Sequence, residues 1–468
     1  MASVDDLHDR LHEDLQRLAE EHDVPGASVA VLVGDDVVKA TFGVVNAQTR
    51  VPVTPDTLFM IQSITKVITA TLVMQLVDES LLRLDDTIRT VLSEFRTADA
   101  DISGQISVRH LLTHTGGFEG DLWAATTSGA DALQRFVEDL VTQAPQNIAP
   151  GERFSYCNAG YGVLGRIVEV LRESTYEDAV RRYLAEPLGI DELAFSADEA
   201  LAFRTAIGHV RPDPGSAQRP SRNWAVMPPS NPAAGNQLAM SAGGLLAVAR
   251  MHLADGRAPD GSLVLSATSA RLMRERQVDH PAAVGMPTGH GLGWWLDRGE
   301  LVEHGGDTTG IAALLRTSPR HALAAVVLTN AESGAALADD LLKPWFDELS
   351  GVAPPTAFPT PRVPALTFDS SPYLGRYANR QHQFEVARDD NGRLWLSDVP
   401  QGDSLDMARR AGIIASTQRH EVRPLSGDTF MIIDGTGTSI GSVEFLGRDH
   451  HDRGRFLFSG ERAVPRVD

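Results

Sequence analysis

A serine and a lysine stand three residues apart in Ser63-Ile64-Thr65-Lys66. If a helix begins near Ser63, both side chains lie on one face, within hydrogen-bonding distance of each other. A free serine is a poor nucleophile, but a lysine in an apolar site loses its proton well below the usual pKa of about 10.4 and can accept the serine proton. The pair therefore predicts nucleophilic catalysis at Ser63. The N–H groups at the start of such a helix would help to stabilise an oxyanion.

The segment around Lys66 is strongly apolar, which favours a catalytic lysine over a surface one. Lys66 is the only charged residue between Asp56 and Asp78. A lone lysine in a buried helix is costly unless it has a function or a partner. The pattern of four residues is weak by itself, and the predicted burial is what strengthens it.

A second polar set, Tyr156-Cys157-Asn158, lies in a turn before a helix that is predicted to begin near Gly160. Tyr156 is a candidate proton relay, and the amide of Asn158 is a candidate orienting group. Cys157 is interpreted as a small packing residue, because no histidine partner is evident in its sequence context.

A third set, His304-Gly305-Gly306-Asp307, lies at the predicted edge of a strand. The two glycines permit a backbone to approach a bound carbonyl group closely. A backbone N–H after them would be placed to complete an oxyanion hole. His304 is equally consistent with an ordinary histidine of an edge strand.

Helices and strands of clear periodicity surround these three sets. Apolar residues at spacings of three and four predict an amphipathic first helix, and they are Val4, Leu7, Leu11, Leu15 and Leu18. Further helices are predicted at about 84–95, 130–143, 160–173, 243–253 and 335–349. Strands are predicted at 27–33, 37–43, 301–304, 311–317 and 323–329. The segment 204–237 is rich in Pro, Asn and Gly and is predicted to be a functional loop.

Length and charge limit the classes of function. A chain of 468 residues exceeds the size of one hydrophobic core, so we expect a large and a small domain. Its 42 basic and 62 acidic residues give a formal net charge of −20, which repels nucleic acids and anionic lipid surfaces. No signal peptide and no membrane-spanning stretch is evident, and the single cysteine excludes an internal disulfide. We therefore expect a cytoplasmic protein without a nucleic-acid or membrane partner.

A proline-rich segment, 351–365, carries five prolines in fifteen positions and predicts a stiff linker. It would separate a domain at 1–350 from a second domain at 366–468. In the second domain, alternating apolar and polar residues around Asp390-Asn391-Gly392 indicate a hairpin, and later segments continue the pattern. This domain is predicted to be a small antiparallel barrel or sandwich.

Taken in order, Ser63-x-x-Lys66, Tyr156-x-Asn158 and His304-Gly305-Gly306 resemble the motifs of the class C β-lactamase and DD-peptidase-like serine hydrolases. The stretches 107–117, 150–165 and 241–256 are similar to connecting segments of that family, so the resemblance covers about residues 5–350. It implies an α+β fold in which an antiparallel sheet flanked by helices is joined to an all-helical subdomain. The carboxy-terminal region resembles the lipocalin-like β-barrel domains appended to some members.

The resemblance also implies roles for the site residues. Ser63 would be acylated, and Lys66 and Tyr156 would share the roles of general base and general acid. Asn158 would contact the substrate amide. Backbone N–H groups of Ser63 and Asp307 would form the oxyanion hole. No metal and no cofactor is implied.

The third motif departs from the β-lactamase pattern, because K-T-G is replaced by His304-Gly305-Gly306. The change exchanges a permanent cation for a titratable ring, so a substrate carboxylate loses its usual partner. The sequence is therefore more similar to the esterase, amidase and D-amino-acid peptidase branches. We expect a small-molecule or short-peptide substrate that is hydrolysed as an ester or amide.

Other functions and arrangements stay open. Ala239-Met240-Ser241-Ala242-Gly243 approximates a nucleophile elbow, although the segment before Ser241 is a poor strand. The same fold also serves acyltransferases, which pass the acyl group to an amine or alcohol, and sensors that bind without turnover. Trp224, Trp294 and Trp295 are predicted to shape the pocket together with the loop 204–237. The carboxy-terminal domain either shapes the pocket mouth or builds a homo-oligomer, and the sequence does not decide between these.

Overall fold

The computed structural model describes residues 4–213, 215–282, 284–285, 287–297, 300–352, 359 and 368–468. These residues form an eight-stranded antiparallel sheet with helices packed on it, and a second, barrel-like sheet of eight strands near the carboxy terminus. The predicted α+β class is confirmed. Within the described residues, no helix is both long and apolar enough to cross a membrane.

The central sheet joins strands from the two ends of its domain. In spatial order its strands are Asp36–Gly43, Gly26–Val33, Leu323–Thr329, Ile311–Ser318, Leu301–Thr308, Trp295–Asp297, Gly289–His290 and Val278–Asp279. Successive side chains of a strand point to opposite faces. Val29 and Val31 therefore pack with the helices Val4–Glu21 and Gly334–Ser350, whereas Ala30 faces the larger core on the other side. The sheet is buried on both faces, which explains its nearly continuous apolar strands.

Most of the helices lie on the side of the sheet that carries the larger core. The α-helices of the described residues are Val4–Glu21, Thr65–Asp78, Ala100–Ser103, Val108–Leu112, Ala132–Arg135, Asn158–Arg172, Tyr176–Val180, Glu186–Leu188, Ala197–Ala200, Ala242–Leu253, Ala267–Met273, Gly334–Ser350 and Asp403–Ala411. A small three-stranded sheet has the order Phe59–Met60, Ala239–Met240 and Leu193–Ala194, and a two-stranded sheet joins His209–Val210 and Arg219–Pro220. Every residue from Thr65 to Leu76 is buried, as the apolar sequence predicts.

One predicted helix, at 84–95, is wrong. The structure has only a single turn there, Ile88–Thr90. The side chain of Asp86 accepts the backbone N–H of Arg83, and the N–H of Ile88 donates to the carbonyl oxygen of Ile106, 2.9 Å away. Because one local and one longer-range bond satisfy these backbone groups, the apolar residues of the segment reach the core without a helix.

The carboxy-terminal domain is a meander whose strands pair with their sequence neighbours. They are Gly375–Ala378, His382–Arg388, Leu394–Pro400, Gln418–Ser426, Thr429–Ile433, Ser439–Arg448, Gly454–Ser459 and Arg462–Pro465. A bridge between Tyr377 and Arg466 brings the two ends together, so the barrel is nearly closed. The predicted barrel and its hairpin at Asp390-Asn391-Gly392 are confirmed, whereas the helix Asp403–Ala411 was not foreseen. The predicted linker at 351–365 lies mostly outside the described residues.

Candidate active site

Ser63 lies in the single turn Gln62–Ile64, directly before the buried helix Thr65–Asp78. Gln62 has a left-handed backbone with φ 49°. A residue other than glycine keeps this conformation only where its surroundings enforce it, and such strain is common at functional sites. The serine is thus presented on a tight, constrained turn and not on a regular helix.

Two glycines let neighbouring backbones close in on this turn. A Cβ atom on Gly235, whose φ is 109°, would lie 2.0 Å from the carbonyl oxygen of Gln62. A Cβ atom on Gly306 would lie 2.2 Å from the carbonyl oxygen of Ile61. Both approaches are too short for any side chain. The glycine requirement at position 306 therefore comes from packing of the strand against the serine turn.

This packing leads to a prediction for Gly306→Ala. The added methyl group must push the strand Leu301–Thr308 away from the serine turn, and a displacement of about 1 Å in an active site costs about 10²-fold in rate. We expect kcat/KM for an aryl ester to fall by about this factor. Gly435→Ala is the matched control, because a Cβ atom there meets nothing within 4 Å. Equal activity of Gly306→Ala and the control would contradict the packing argument.

Lys66 is completely buried and points back at the serine. Its Nζ donates to Ser63 Oγ at 3.0 Å and to the carbonyl oxygen of Ala234 at 2.8 Å. Burial is the main cause that lowers the pKa of Lys66 to about 7, and the positive charge of Arg462 acts in the same direction. A substantial fraction of Lys66 is therefore neutral near pH 7, as a base that takes up the serine proton must be.

Tyr156 lies next to both the serine and the lysine. The Nζ of Lys66 is 4.9 Å from the centre of its ring. Burial raises the pKa of Tyr156 well above 10, the negative charge of Glu461 adds to this, and a hydrogen bond with Ser63 opposes it. Tyr156 therefore keeps its proton at neutral pH. Of these two groups, Lys66 is therefore the more readily deprotonated near pH 7.

Cys157 and Asn158 are held by structural contacts. Cys157 caps the helix Asn158–Arg172, since its Sγ accepts the N–H of Gly160 at 3.3 Å, and burial raises its pKa to about 12. This fits a packing thiol and not a nucleophile. The Nδ2 of Asn158 donates to Asp121 Oδ1 at 2.7 Å. That bond fixes the orientation of the amide, and Asn158 lines the cavity next to Ser63.

The third motif is divided between the site and the core. Gly305 and Asp307 face the cavity next to Ser63. The ring of His304 is fully buried, stacks on Trp295 at 4.5 Å and donates through Nδ1 to the carbonyl oxygen of Gly305 at 2.6 Å. Burial, together with the charge of Lys66, lowers the pKa of His304 to about 3, so the ring is neutral at physiological pH. It therefore supplies no cation for a substrate.

A cavity of about 200 Å³ gathers most of these residues. Its walls include Ser63, Tyr156, Asn158, Gly305 and Asp307 from the predicted set, with Lys66 behind the serine. A larger cavity of about 730 Å³ adjoins it, and the two share the lining residues Met227, Trp295, Gly305 and Asp307. Gly306 lines the larger one. The two cavities together therefore have room for a larger molecule than the small cavity beside Ser63 could hold alone.

Other lining residues only partly match the sequence predictions. The loop 204–237 contributes Met227, Ala234, Gly235 and Asn236, and Trp295 forms one wall, as predicted. Trp294 is instead a core residue that packs against His252, and Trp224 packs near Phe203. The indole of Trp123 is a wall that the sequence did not suggest.

The carboxy-terminal barrel also reaches the site, which sequence reasoning missed. The turn between the strands Gly454–Ser459 and Arg462–Pro465 brings Glu461 and Arg462 into the lining of the cavity. Arg462 pairs with Asp121 through Nε at 2.9 Å and Nη2 at 3.2 Å. The backbone N–H of Tyr156 donates to the carbonyl oxygen of Glu461 at 2.9 Å. Nothing in the local sequence Ser459-Gly460-Glu461-Arg462 distinguishes it from an ordinary hairpin turn.

Ser241, the alternative nucleophile, has a structural position. It follows the two-residue strand Ala239–Met240 and caps the helix Ala242–Leu253, because its Oγ accepts the N–H of Gly244 at 3.0 Å. Its side chain is buried. Within the described residues, no group of three or more potential metal ligands comes together.

Comparison with known proteins gives the same outline. The family described as Beta-lactamase matches residues 11–344. Penicillin-binding protein 4 of Amycolatopsis lactamdurans is 40% identical over 374 residues, which are 79% of this chain and 97% of that protein. Esterase EstB of Burkholderia gladioli is 30% identical over 214 residues, 42% of this chain and 54% of that protein.

A solved structure resembles both domains together. The crystal structure of SurE superposes with a TM-score of 0.78 at 26% sequence identity, covering 98% of this chain and 99% of its own. SurE with D-Leu gives a TM-score of 0.76 at 27% identity, with the same coverage. The similarity therefore includes the carboxy-terminal barrel as well as the domain that carries Ser63.

Proposed function

Because the chain belongs to the Beta-lactamase family, we propose that it is a serine hydrolase that forms an acyl-enzyme at Ser63 on a small ester, amide or peptide. One observation carries the proposal. The fully buried Lys66 donates to Ser63 Oγ at 3.0 Å and has a pKa of about 7. A buried lysine with such a pKa is a base matched to neutral pH.

In the acylation step, neutral Lys66 takes the proton of Ser63 as Oγ attacks the carbonyl carbon of the substrate. The negative charge that develops on the carbonyl oxygen is stabilised by the backbone N–H groups of Ser63 and Asp307. Tyr156 then gives its phenolic proton to the leaving group as the carbon–leaving-group bond breaks. The ammonium of Lys66 returns a proton to the phenolate of Tyr156, and the site is neutral again.

Deacylation repeats these transfers with water as the nucleophile. Neutral Lys66 accepts a proton from the attacking water, and that proton passes to Ser63 Oγ as the ester bond of the acyl-enzyme breaks. The carboxylic acid leaves and the enzyme is regenerated. Asn158 supplies its amide oxygen to orient an N–H group of the substrate throughout.

Two features of the site favour esters, amides and peptides over β-lactams. His304 is neutral and buried, so it does not replace the cation that binds a substrate carboxylate. The carboxyl groups of Asp307 and Glu461 also line the small cavity. Among the described residues of its lining, the one cation is Arg462, which is paired with Asp121. An anionic substrate is disfavoured by this arrangement.

A substrate panel tests the proposal. An aryl ester, a D-aminoacyl amide and a cephalosporin are offered to the native protein and to Ser63→Ala, and product formation is measured. We expect turnover of the ester and the amide that depends on Ser63, with the cephalosporin slowest because its carboxylate has no free cation to pair with. Equal rates in the two proteins on every substrate would refute the proposal.

Acyl transfer is a second candidate, favoured by the cavity of about 730 Å³ beside the serine. This space has room for an amine or alcohol acceptor that would replace water in the deacylation step. Product analysis in the presence of an added amine separates the two functions, because a transferase partitions towards the acylated amine. Stable labelling of Ser63 without turnover would instead favour a sensor.

For the carboxy-terminal domain we propose a role in completing the active site. The domain boundaries stay at 1–350 and 366–468, with the linker between them. Gln381 of the barrel donates to the carbonyl oxygen of Asp121 at 2.6 Å, in addition to the contacts of Glu461 and Arg462. These contacts support a barrel that closes one wall of the cavity.

A further inference from the structure

Glu461 holds an unusual place at the tip of the barrel's last hairpin. The turn that carries it has Gly460 at φ 52° and Glu461 at φ 68°, both in the left-handed region. Glycine or asparagine is favoured at such positions, and glutamate is not. The side chain of Glu461 nevertheless lines the cavity that contains Ser63. A purely structural turn would have no use for a long carboxylate here.

The fold uses the backbone of Glu461 and not its side chain. Its carbonyl oxygen accepts the N–H of Tyr156 at 2.9 Å, a bond that any residue at this position would make. Among the described residues, its carboxylate forms no hydrogen bond. A half-buried carboxylate without a partner is costly, and a bound ligand would offset that cost.

The neighbouring cation, Arg462, favours the charged form of Glu461 but does not hydrogen-bond to it. Arg462 directs Nε and Nη2 to Asp121, and its Nη1 donates to the carbonyl oxygen of Gly460 at 2.6 Å. All three guanidinium nitrogens are therefore engaged elsewhere. The Nζ of Lys66 is likewise bonded to Ser63 and to a backbone carbonyl group.

The charges around Glu461 favour an added cation. Burial raises its pKa to about 7, Arg462 and Lys66 oppose the shift, and the negative charges of Asp307 and Asp121 add to it. Asp307 is exposed on the same cavity wall as Gly305, across from the serine turn. A positive group placed between Asp307 and Glu461 would relieve their repulsion and form a charge-assisted hydrogen bond.

We propose that Glu461 selects substrates that carry a primary ammonium group beside the scissile carbonyl, such as aminoacyl amides with a free amino group. This proposal rests on the function proposed above and narrows its substrate class. Ser63 holds the acyl carbon, and the carboxylate of Glu461 binds the ammonium group in the same small cavity. Asp307 contributes negative charge to this subsite through its side chain.

The test compares paired substrates that differ only in the charge of the amino group. The p-nitroanilides of D- and L-alanine are measured against their N-acetyl derivatives at about pH 7.5, where much of the α-amino group is protonated. The readout is the ratio of kcat/KM for the free amine to kcat/KM for the N-acetyl compound, taken for the faster enantiomer. We expect a ratio above about 10 in the native protein, since a hydrogen bond to a charged group is worth about tenfold or more.

Glu461→Gln keeps the size of the side chain and removes its charge, so we expect the ratio to fall by about tenfold or more. Glu461→Asp keeps the charge and should restore part of the preference. Glu444→Gln is the matched control, because Glu444 is a half-buried glutamate of the same barrel that is not among the residues of the cavity wall. It should leave the ratio unchanged.

Several results would overturn the inference while leaving the acyl-enzyme intact. They are a native preference for the N-acetyl compound, an unchanged ratio in Glu461→Gln, or no anilide turnover by a protein whose Ser63 is acylated by an aryl ester. If kcat/KM for both substrates fell by the same factor in Glu461→Gln, the residue would have a structural role. If Ser63→Ala hydrolyses the aryl ester as fast as the native protein, the proposed function itself fails.

Discussion

Ser63→Ala is expected to lower kcat for aryl ester hydrolysis by at least about 10⁴-fold, because no other group can form the covalent intermediate. The turn Gln62–Ile64 holds the serine next to Lys66, and alanine fits that turn without a change of backbone. The variant should therefore fold normally and should no longer react with a fluorophosphonate. Steady-state kinetics and labelling measure the two effects separately.

Ser241→Ala provides the control for this loss. Ser241 caps the helix Ala242–Leu253, so its replacement is expected to reduce the free energy of unfolding by about 1 kcal/mol and to preserve labelling. The opposite pattern, in which Ser241→Ala abolishes labelling and Ser63→Ala does not, would move the nucleophile to Ser241.

Lys66→Met is expected to lower kcat/KM for a neutral aryl ester by about 10² to 10⁴-fold, the usual contribution of a positioned base. Methionine fills much of the buried volume of the lysine, so the loss would come from the missing amine and not from a cavity. The variant should still be folded, which circular dichroism and thermal unfolding can establish. Activity within a few fold of the native protein would contradict the assignment of Lys66 as the base.

The same assignment predicts the pH dependence. Protonated Lys66 cannot accept the serine proton, so kcat/KM should be constant above pH 7 and fall by about tenfold for each pH unit below it. This fall in rate below pH 7 is the acid limb of the pH profile. Burial lowers the pKa of His280 to about 4 and that of His304 to about 3, and both values are too low to explain it. Glu461 is another group of the site with a pKa of about 7.

Glu461→Gln distinguishes these two groups in the pH profile. The negative charge of Glu461 raises the pKa of Lys66, so its removal should move the acid limb slightly to lower pH. With a neutral ester as substrate, kcat/KM of Glu461→Gln should still fall at low pH. Disappearance of the limb in Glu461→Gln would assign it to the glutamate and not to Lys66.

Local patterns in the sequence were enough to predict much of the site. The apolar run around Lys66 predicts its burial, and the spacing of three residues predicts its contact with Ser63, which the structure places at 3.0 Å. The hairpin at 27–43 and the strands from 301 to 329 follow from alternating or continuous apolar residues between turn signals. In each case a single segment contains the whole signal.

Features that depend on distant segments were not predictable in this way. Asp121 and Arg462 are 341 positions apart in the chain, and neither stands in a motif, yet they form one ion pair beside the serine. The role of Glu461 depends on how the barrel docks, which no periodicity reports. The predicted helix at 84–95 failed because backbone groups of the segment bond to a distant one, as the N–H of Ile88 does to the carbonyl oxygen of Ile106.

His304 illustrates how burial changes the meaning of a motif. Its position in His304-Gly305-Gly306 suggests a titratable group that faces the substrate, whereas its ring is stacked on Trp295 inside the protein. Gly306 matters to the site more directly than the ring does, because it lets the strand approach the backbone beside the serine turn. The sequence contains the residue types but not the direction in which the ring points.

The covalent intermediate is the most direct test of the account. The native protein is mixed with p-nitrophenyl acetate, quenched in acid within seconds and digested, and the peptides are analysed by mass spectrometry. We predict one acetyl group on the peptide that contains Ser63, and none on the corresponding peptide of Ser63→Ala. A stoichiometric acetyl group on Ser241 or Cys157, or turnover without any acetylated Ser63, would contradict the mechanism.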